Sequence, residues 1–168
     1  MSAPLKKNAK EALLFLIRMG VFSAAFYVIL FSAEGILQGM ESQIVQHILR
    51  ALGTHVNAGS VAWQFVAENY LIEISPLCSG LLELALLAGA ILATKEYPLR
   101  ARVQGVIVFG FILFAANIIR IVASVQQLIH TSLSFAEFTH GILFRGVLIL
   151  GFALLYALWL RLASREEK

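Results

Sequence analysis

Val103–Val125 reads VQGVIVFGFILFAANIIRIVASV and decides the fold. It is long enough and apolar enough to cross a hydrocarbon core of roughly 30 Å as a single helix. Two residues, Asn117 and Arg120, interrupt it. An arginine well inside a span costs roughly 2.5–3.5 kcal/mol on insertion scales, so by default it is paired or functional. Asn117 stands three residues earlier on the same helical face, which predicts a polar stripe turned toward protein rather than lipid.

The rest of the chain agrees with a bilayer as solvent. Of 168 residues 60% are hydrophobic and 14% charged, and the mean hydropathy is +0.83. A soluble domain of this size has nowhere to hide so much apolar side chain. The expectation is one domain, 1–168: an all-α integral membrane protein with about four transmembrane helices, an amphipathic helix and a short β-hairpin. A single cysteine excludes an internal disulfide and any multi-cysteine metal site. His47, His55 and His130 lack ligand spacing, so neither metal nor cofactor is expected. No basic block interleaved with exposed aromatics points to nucleic acid.

Taken in order, a lysine-bearing tail leads into a first span at 12–33, with Arg18 near its inner end. In Glu34–Gly53, Leu37, Met40, Ile44, Ile48 and Leu52 recur at helical spacing, with Glu41, Gln43, Gln46 and Arg50 between them. That pattern predicts an amphipathic helix lying along the membrane surface. Thr54–Ser60 reads as a turn, and Val61–Ala67 with Tyr70–Ser75 as a hairpin closing at Glu68-Asn69. Further spans follow at 77–94, 103–125 and 141–162, leaving 34–76 and 126–140 outside the bilayer. Nine of the thirteen basic residues (Lys6, Lys7, Lys10, Lys95, Arg100, Arg102, Arg161, Arg165 and Lys168) fall on one side. The positive-inside rule makes that side cytoplasmic and puts both termini there.

This topology gathers chemistry at the outer face. Ile74–Glu83, ISPLCSGLLE, holds the only cysteine. Ser75 can cap a helix and Pro76 suits its first position, which sets Cys78 in the opening turn, where helix N–H groups and the dipole favour thiolate. His140 opens the last span, and Arg120 lies about six residues, or roughly 9 Å, below the outer end of its own. A thiol, an imidazole and a guanidinium in one layer suggest nucleophile, base and anion stabiliser. Each has a plainer reading: a buried packing thiol, an interfacial histidine, a structural cation. Arg145 can anchor its helix or bind a carboxylate. Glu83 suits an ion pair with Arg120 or Arg145, Glu137 can orient His140, and Gly80 permits close approach.

Cys78-Ser79-Gly80, Asn117-x-x-Arg120-Ile121 and a histidine opening the last span resemble, in order and in side, the exosortase/archaeosortase family. The resemblance covers roughly 53–144. It implies a multi-pass cysteine transpeptidase or protease, with Cys78 attacking a peptide carbonyl to give an acyl-enzyme and with Arg120 and His140 as the other two site residues. The implied partners are secreted proteins bearing a C-terminal motif, a membrane helix and a basic tail, together with an amine acceptor or water. The implied location is the cytoplasmic (inner) membrane. The chain departs from many members in lacking extra N-terminal spans and in carrying Leu82 where an arginine often stands near the cysteine. Two other classes fit the residues alone. One is a small transporter or channel with an anion path along Arg120, Arg145 and Glu83. The other is a noncatalytic assembly subunit whose polar groups join helices.

Overall fold

The computed structural model describes residues 3–76, 78–131, 139 and 144–166. The fold is mostly helical, with one small sheet. Helix α1 (Ala3–Ser32) is followed, after Ala33 alone, by α2 (Glu34–Ala51). Strands β1 (Val56–Ala58), β2 (Gln64–Ala67) and β3 (Tyr70–Glu73) come next, then α3 (Leu81–Ala93), α4 (Leu99–His130) and α5 (Phe144–Glu166). Three segments are long and apolar enough to cross a membrane: Ala9–Ser32, Leu99–His130 and Gly146–Ser164. Helix α3 is equally apolar but shorter. It begins four residues later than the 77–94 span expected from the sequence.

Short α3 is the hub. Ala85, Leu87, Ala88, Ala90, Ile91 and Ala93 are all buried, and α1, α4 and α5 all pack against it. Small residues make this possible. A Cβ on Gly89 would fall 2.7 Å from the Ser23 nitrogen and 2.8 Å from the Met19 carbonyl of α1, so the two backbones meet where the side chain is missing. Leu87 and Ile91 continue into an apolar cluster with Phe109 and Leu113 of α4 and Leu148, Trp159 and Ala163 of α5.

A second cluster caps the first. Val45 and Leu49 of α2, Phe65 and Ala67 of β2, Val56, Ile74, and Ile118, Ile121, Val122 and Val125 of α4 close over one another. The sheet order is β1-β2-β3, antiparallel throughout, with Ala67 opposite Tyr70 across the expected Glu68-Asn69 turn. The predicted hairpin is present and gains β1, which the sequence reading takes for a turn: Val56 pairs with Ala67 and Ala58 with Phe65.

Helix α2 is amphipathic, and the side it turns to the protein carries several of its polar residues. Gln38, Glu41, Ser42 and Gln46 are buried along with Val45 and Leu49, whereas Ile36 is 72% exposed and Met40, Ile44 and Leu52 also point outward. Both faces are mixed: Gln43, His47 and Arg50 are exposed beside the outer apolar residues, and the buried Glu41, Ser42 and Gln46 find hydrogen-bonding partners inside. Gln46 donates to Ser42 Oγ at 3.0 Å and Arg50 to Gln46 Oε1 at 3.0 Å. Helix α4 also outruns expectation, staying helical to His130 rather than ending near Val125. Thr54 of the loop after α2 accepts a bond from Gln126 Nε2 at 2.8 Å along that extension.

Candidate active site around Cys78

The Ile74 N–H donates to the Trp63 carbonyl at 3.0 Å and ties the end of β3 to the sheet. The chain then folds into a tight turn. The Cys78 and Ser79 N–H groups both donate to the Ser75 carbonyl, at 2.8 and 3.1 Å, and Ser79 Oγ donates to the Pro76 carbonyl at 2.8 Å. This turn is not the start of α3. Gly80 follows it at φ +66°, a left-handed conformation that ends any right-handed helical run, and α3 begins at Leu81 with no side-chain cap. The Ser75 hydroxyl therefore caps no helix N–H; it donates to Cys78 Sγ at 3.2 Å, a contact that favours thiolate.

Helix α4 grips the same turn from the side. Arg120 donates to the Cys78 carbonyl at 2.5 Å and Asn117 Nδ2 donates to it at 3.1 Å. Both are buried, at 6% and 2% exposure, in the zone where the helix-bundle cluster gives way to the sheet-side cluster. The intramembrane arginine and asparagine expected to share a face thus converge on one oxygen, that of the cysteine. Gly80 lets them in: a Cβ there would lie 3.2 Å from Asn117 Cγ.

Glu41 is a fourth member that sequence reasoning missed. It is 0% exposed, and its Oε1 accepts from the same Asn117 Nδ2 at 3.3 Å. Its Oε2 is buried without a hydrogen-bond partner. Burial pushes its carboxyl from 4.5 up to about 8; Asn117 and Arg120 pull it down without overcoming burial, and the Cys78 charge adds to the rise. Glu41 therefore carries a proton at neutral pH. The available signal was the spacing Gln38, Glu41-Ser42, Gln46, a polar stripe as regular as the apolar one; only the environment says which of the two is inside.

Other expected residues fall as follows. Glu83 is half-buried in the first turn of α3, and no ion pair joins it to Arg120 among the described residues. Arg145 lies in α5, its side chain outside the described residues, as are Glu137 and His140. Between those two in sequence, Thr139 is buried and donates to Gln127 Oε1 of α4 at 2.5 Å.

A thiol held by a serine hydroxyl, with its own carbonyl clamped by a buried guanidinium, is an arrangement suited to acyl transfer. The sequence model of the transmembrane exosortase family matches residues 5–161, a range that includes every residue of the site. No curated protein and no solved structure matches the chain.

Proposed function

The chain belongs to the transmembrane exosortase family, and thereby to membrane-embedded sorting transpeptidases; from this we propose that it cleaves the C-terminal sorting signal of secreted proteins through an acyl-enzyme on Cys78. The observation that carries the proposal is the double clamp of Arg120 and Asn117 on the Cys78 carbonyl. Burying a guanidinium and an amide inside an apolar helix is costly, and here both serve to hold the residue that bears the only thiol. Purely structural polar contacts between helices would not need to converge on it.

In the reaction, the Cys78 thiolate attacks the carbonyl carbon of the scissile peptide bond. The negative charge gathering on the substrate oxygen is stabilised by Arg120, whose own charge stands one peptide group from the sulfur. Collapse breaks the C–N bond and leaves a thioester. The departing amine takes its proton from His140, which then accepts a proton from the incoming amine, or water, that opens the thioester and frees the thiolate.

The proposed setting is the cytoplasmic membrane, with both termini inside and the site facing outward. Counted from Arg102 in the first turn of α4, Arg120 is about 27 Å along the helix, near the far boundary of a hydrocarbon core of roughly 30 Å. A substrate helix arriving within the bilayer would present its extramembrane motif at that level. Co-expression of a candidate substrate with Cys78→Ala and with Cys78→Ser tests the proposal. Unprocessed precursor is expected with both, together with loss of the hydroxylamine-sensitive adduct formed by the parent enzyme. Undiminished processing in both variants would overturn it.

A further inference from the structure

We propose that Glu41 is a positioning residue that tunes the Cys78 thiol, because it shares with the Cys78 turn both the Asn117 amide and the charge of Arg120. The catalytic meaning of this rests on Cys78 being the nucleophile; the coupling itself does not.

Three observations carry it. Asn117 Nδ2 bridges Glu41 Oε1 at 3.3 Å and the Cys78 carbonyl at 3.1 Å, so a change at the carboxyl reaches the turn through a single side chain. Glu41 is fully buried, and its second oxygen has no hydrogen-bond partner, an unusual state for a carboxyl group and one tolerable only when it is uncharged. Charge balance supplies the third. Among the described residues, the ionisable groups facing Glu41 are Arg120 from α4 and Cys78 from the turn before α3. Strands β1 and β2, which also pack on α2, carry none.

One cation thus stands beside two groups that can each become an anion. While Glu41 holds its proton, Arg120 serves the thiolate. When Glu41 ionises, near pH 8, a second negative charge competes for the same guanidinium and opposes thiolate formation. In the acyl-enzyme the sulfur has lost its charge, so Glu41 releases its proton more readily at that stage than in the resting enzyme.

The sole cysteine makes this measurable without any substrate. The full chain, in detergent, is alkylated with iodoacetamide over a range of pH, and the rate is followed by intact mass. The parent protein should show a shallow, two-step rise, because thiol and carboxyl titrate as a coupled pair. Glu41→Gln keeps the shape and removes the charge. It should give one unit-slope transition and react on the order of tenfold faster than the parent above pH 8, the effect of one unit charge at intermediate dielectric. Superimposable profiles from folded protein would overturn the proposal.

A second measurement covers the case in which Glu41→Gln does not fold. Infrared titration of the parent should show a protonated carboxyl band at neutral pH that disappears near pH 8 and shifts to lower pH in Cys78→Ala. Absence of that band, or an unchanged midpoint in Cys78→Ala, overturns the coupling. Intact processing by Cys78→Ala would instead sink the nucleophile assignment and leave the coupling standing.

Discussion

Gly80→Ala is the sharpest probe of how α4 holds the cysteine, and Gly53→Ala is its control. Both glycines have positive φ, +66° and +87°. A Cβ in left-handed backbone costs about 1–2 kcal/mol at either position. At Gly53 nothing lies within 4 Å of the new atom, so the effect should end there. At Gly80 the new Cβ meets Asn117 Cγ at 3.2 Å, and the amide must retreat from the Cys78 carbonyl and from Glu41. Weakening those bonds adds roughly 0.5–1.5 kcal/mol for each. Gly80→Ala should therefore cost about 2–5 kcal/mol in all, against about 1–2 for Gly53→Ala. The larger difference lies in chemistry, because displacing a nucleophile by a fraction of an ångström to an ångström reduces turnover on the order of ten- to a hundredfold. Thermal unfolding followed by tryptophan fluorescence reads the first quantity, and substrate processing at matched protein level reads the second. Equal losses for the two variants, in stability and in processing, would refute the claim that Gly80 exists to admit Asn117.

Three further outcomes are expected. Because the Glu41 carboxyl is raised from 4.5 to about 8, the stability it contributes is fully present below pH 4.5 and is lost as pH climbs through 8, by at most about 5 kcal/mol; the unfolding temperature should fall over that window in the parent and much less in Glu41→Gln, and a flat parent profile would contradict it. Arg120→Lys keeps the charge but not the planar fork that reaches the Cys78 carbonyl, so processing should drop at least about tenfold, and Arg120→Ala should abolish it; parent-level processing by the lysine variant would show that charge alone suffices. Gly89→Ala forces α1 and α3 apart at Ser23 and Met19 and should cost about 1–3 kcal/mol, visible as a lower yield of monodisperse protein; an unchanged yield and unfolding temperature would mean that the helix crossing is loose.

What the sequence made legible follows from where polarity contradicts its surroundings. Asn117 and Arg120 stand out because the apolar run around them makes them anomalous, and the structure brings both to the Cys78 carbonyl. Cys78 was legible as a residue at their level of the chain, though not the form of its turn. Ser75-Pro76 is a fair helix-start signal, yet Gly80 at φ +66° breaks the run and defers the helix to Leu81. Glu41 was illegible for a different reason. In a helix that alternates apolar and polar residues, the rule learned in water sends the carboxylate outward, whereas α2 buries Glu41 against the Asn117 amide. Strand β1 was hidden by its length: three residues, Val56-Asn57-Ala58, carry no periodicity, and their pairing partners Ala67, Val66 and Phe65 lie in a separate stretch of chain.

The exposed apolar strip along α2 has a practical consequence for handling the protein. Once it is extracted, the amphiphile belt has to do more than encircle the three long helices. It must also climb past Ala33 and cover Ile36, Met40, Ile44 and Leu52, a strip that a hydropathy plot would assign to the aqueous side. Detergents with large, thick micelles, or lipid nanodiscs, provide that skirt. Short-chain detergents that pack tightly around the long helices leave the strip bare, and preparations in them should self-associate through α2 while the bundle beneath remains folded.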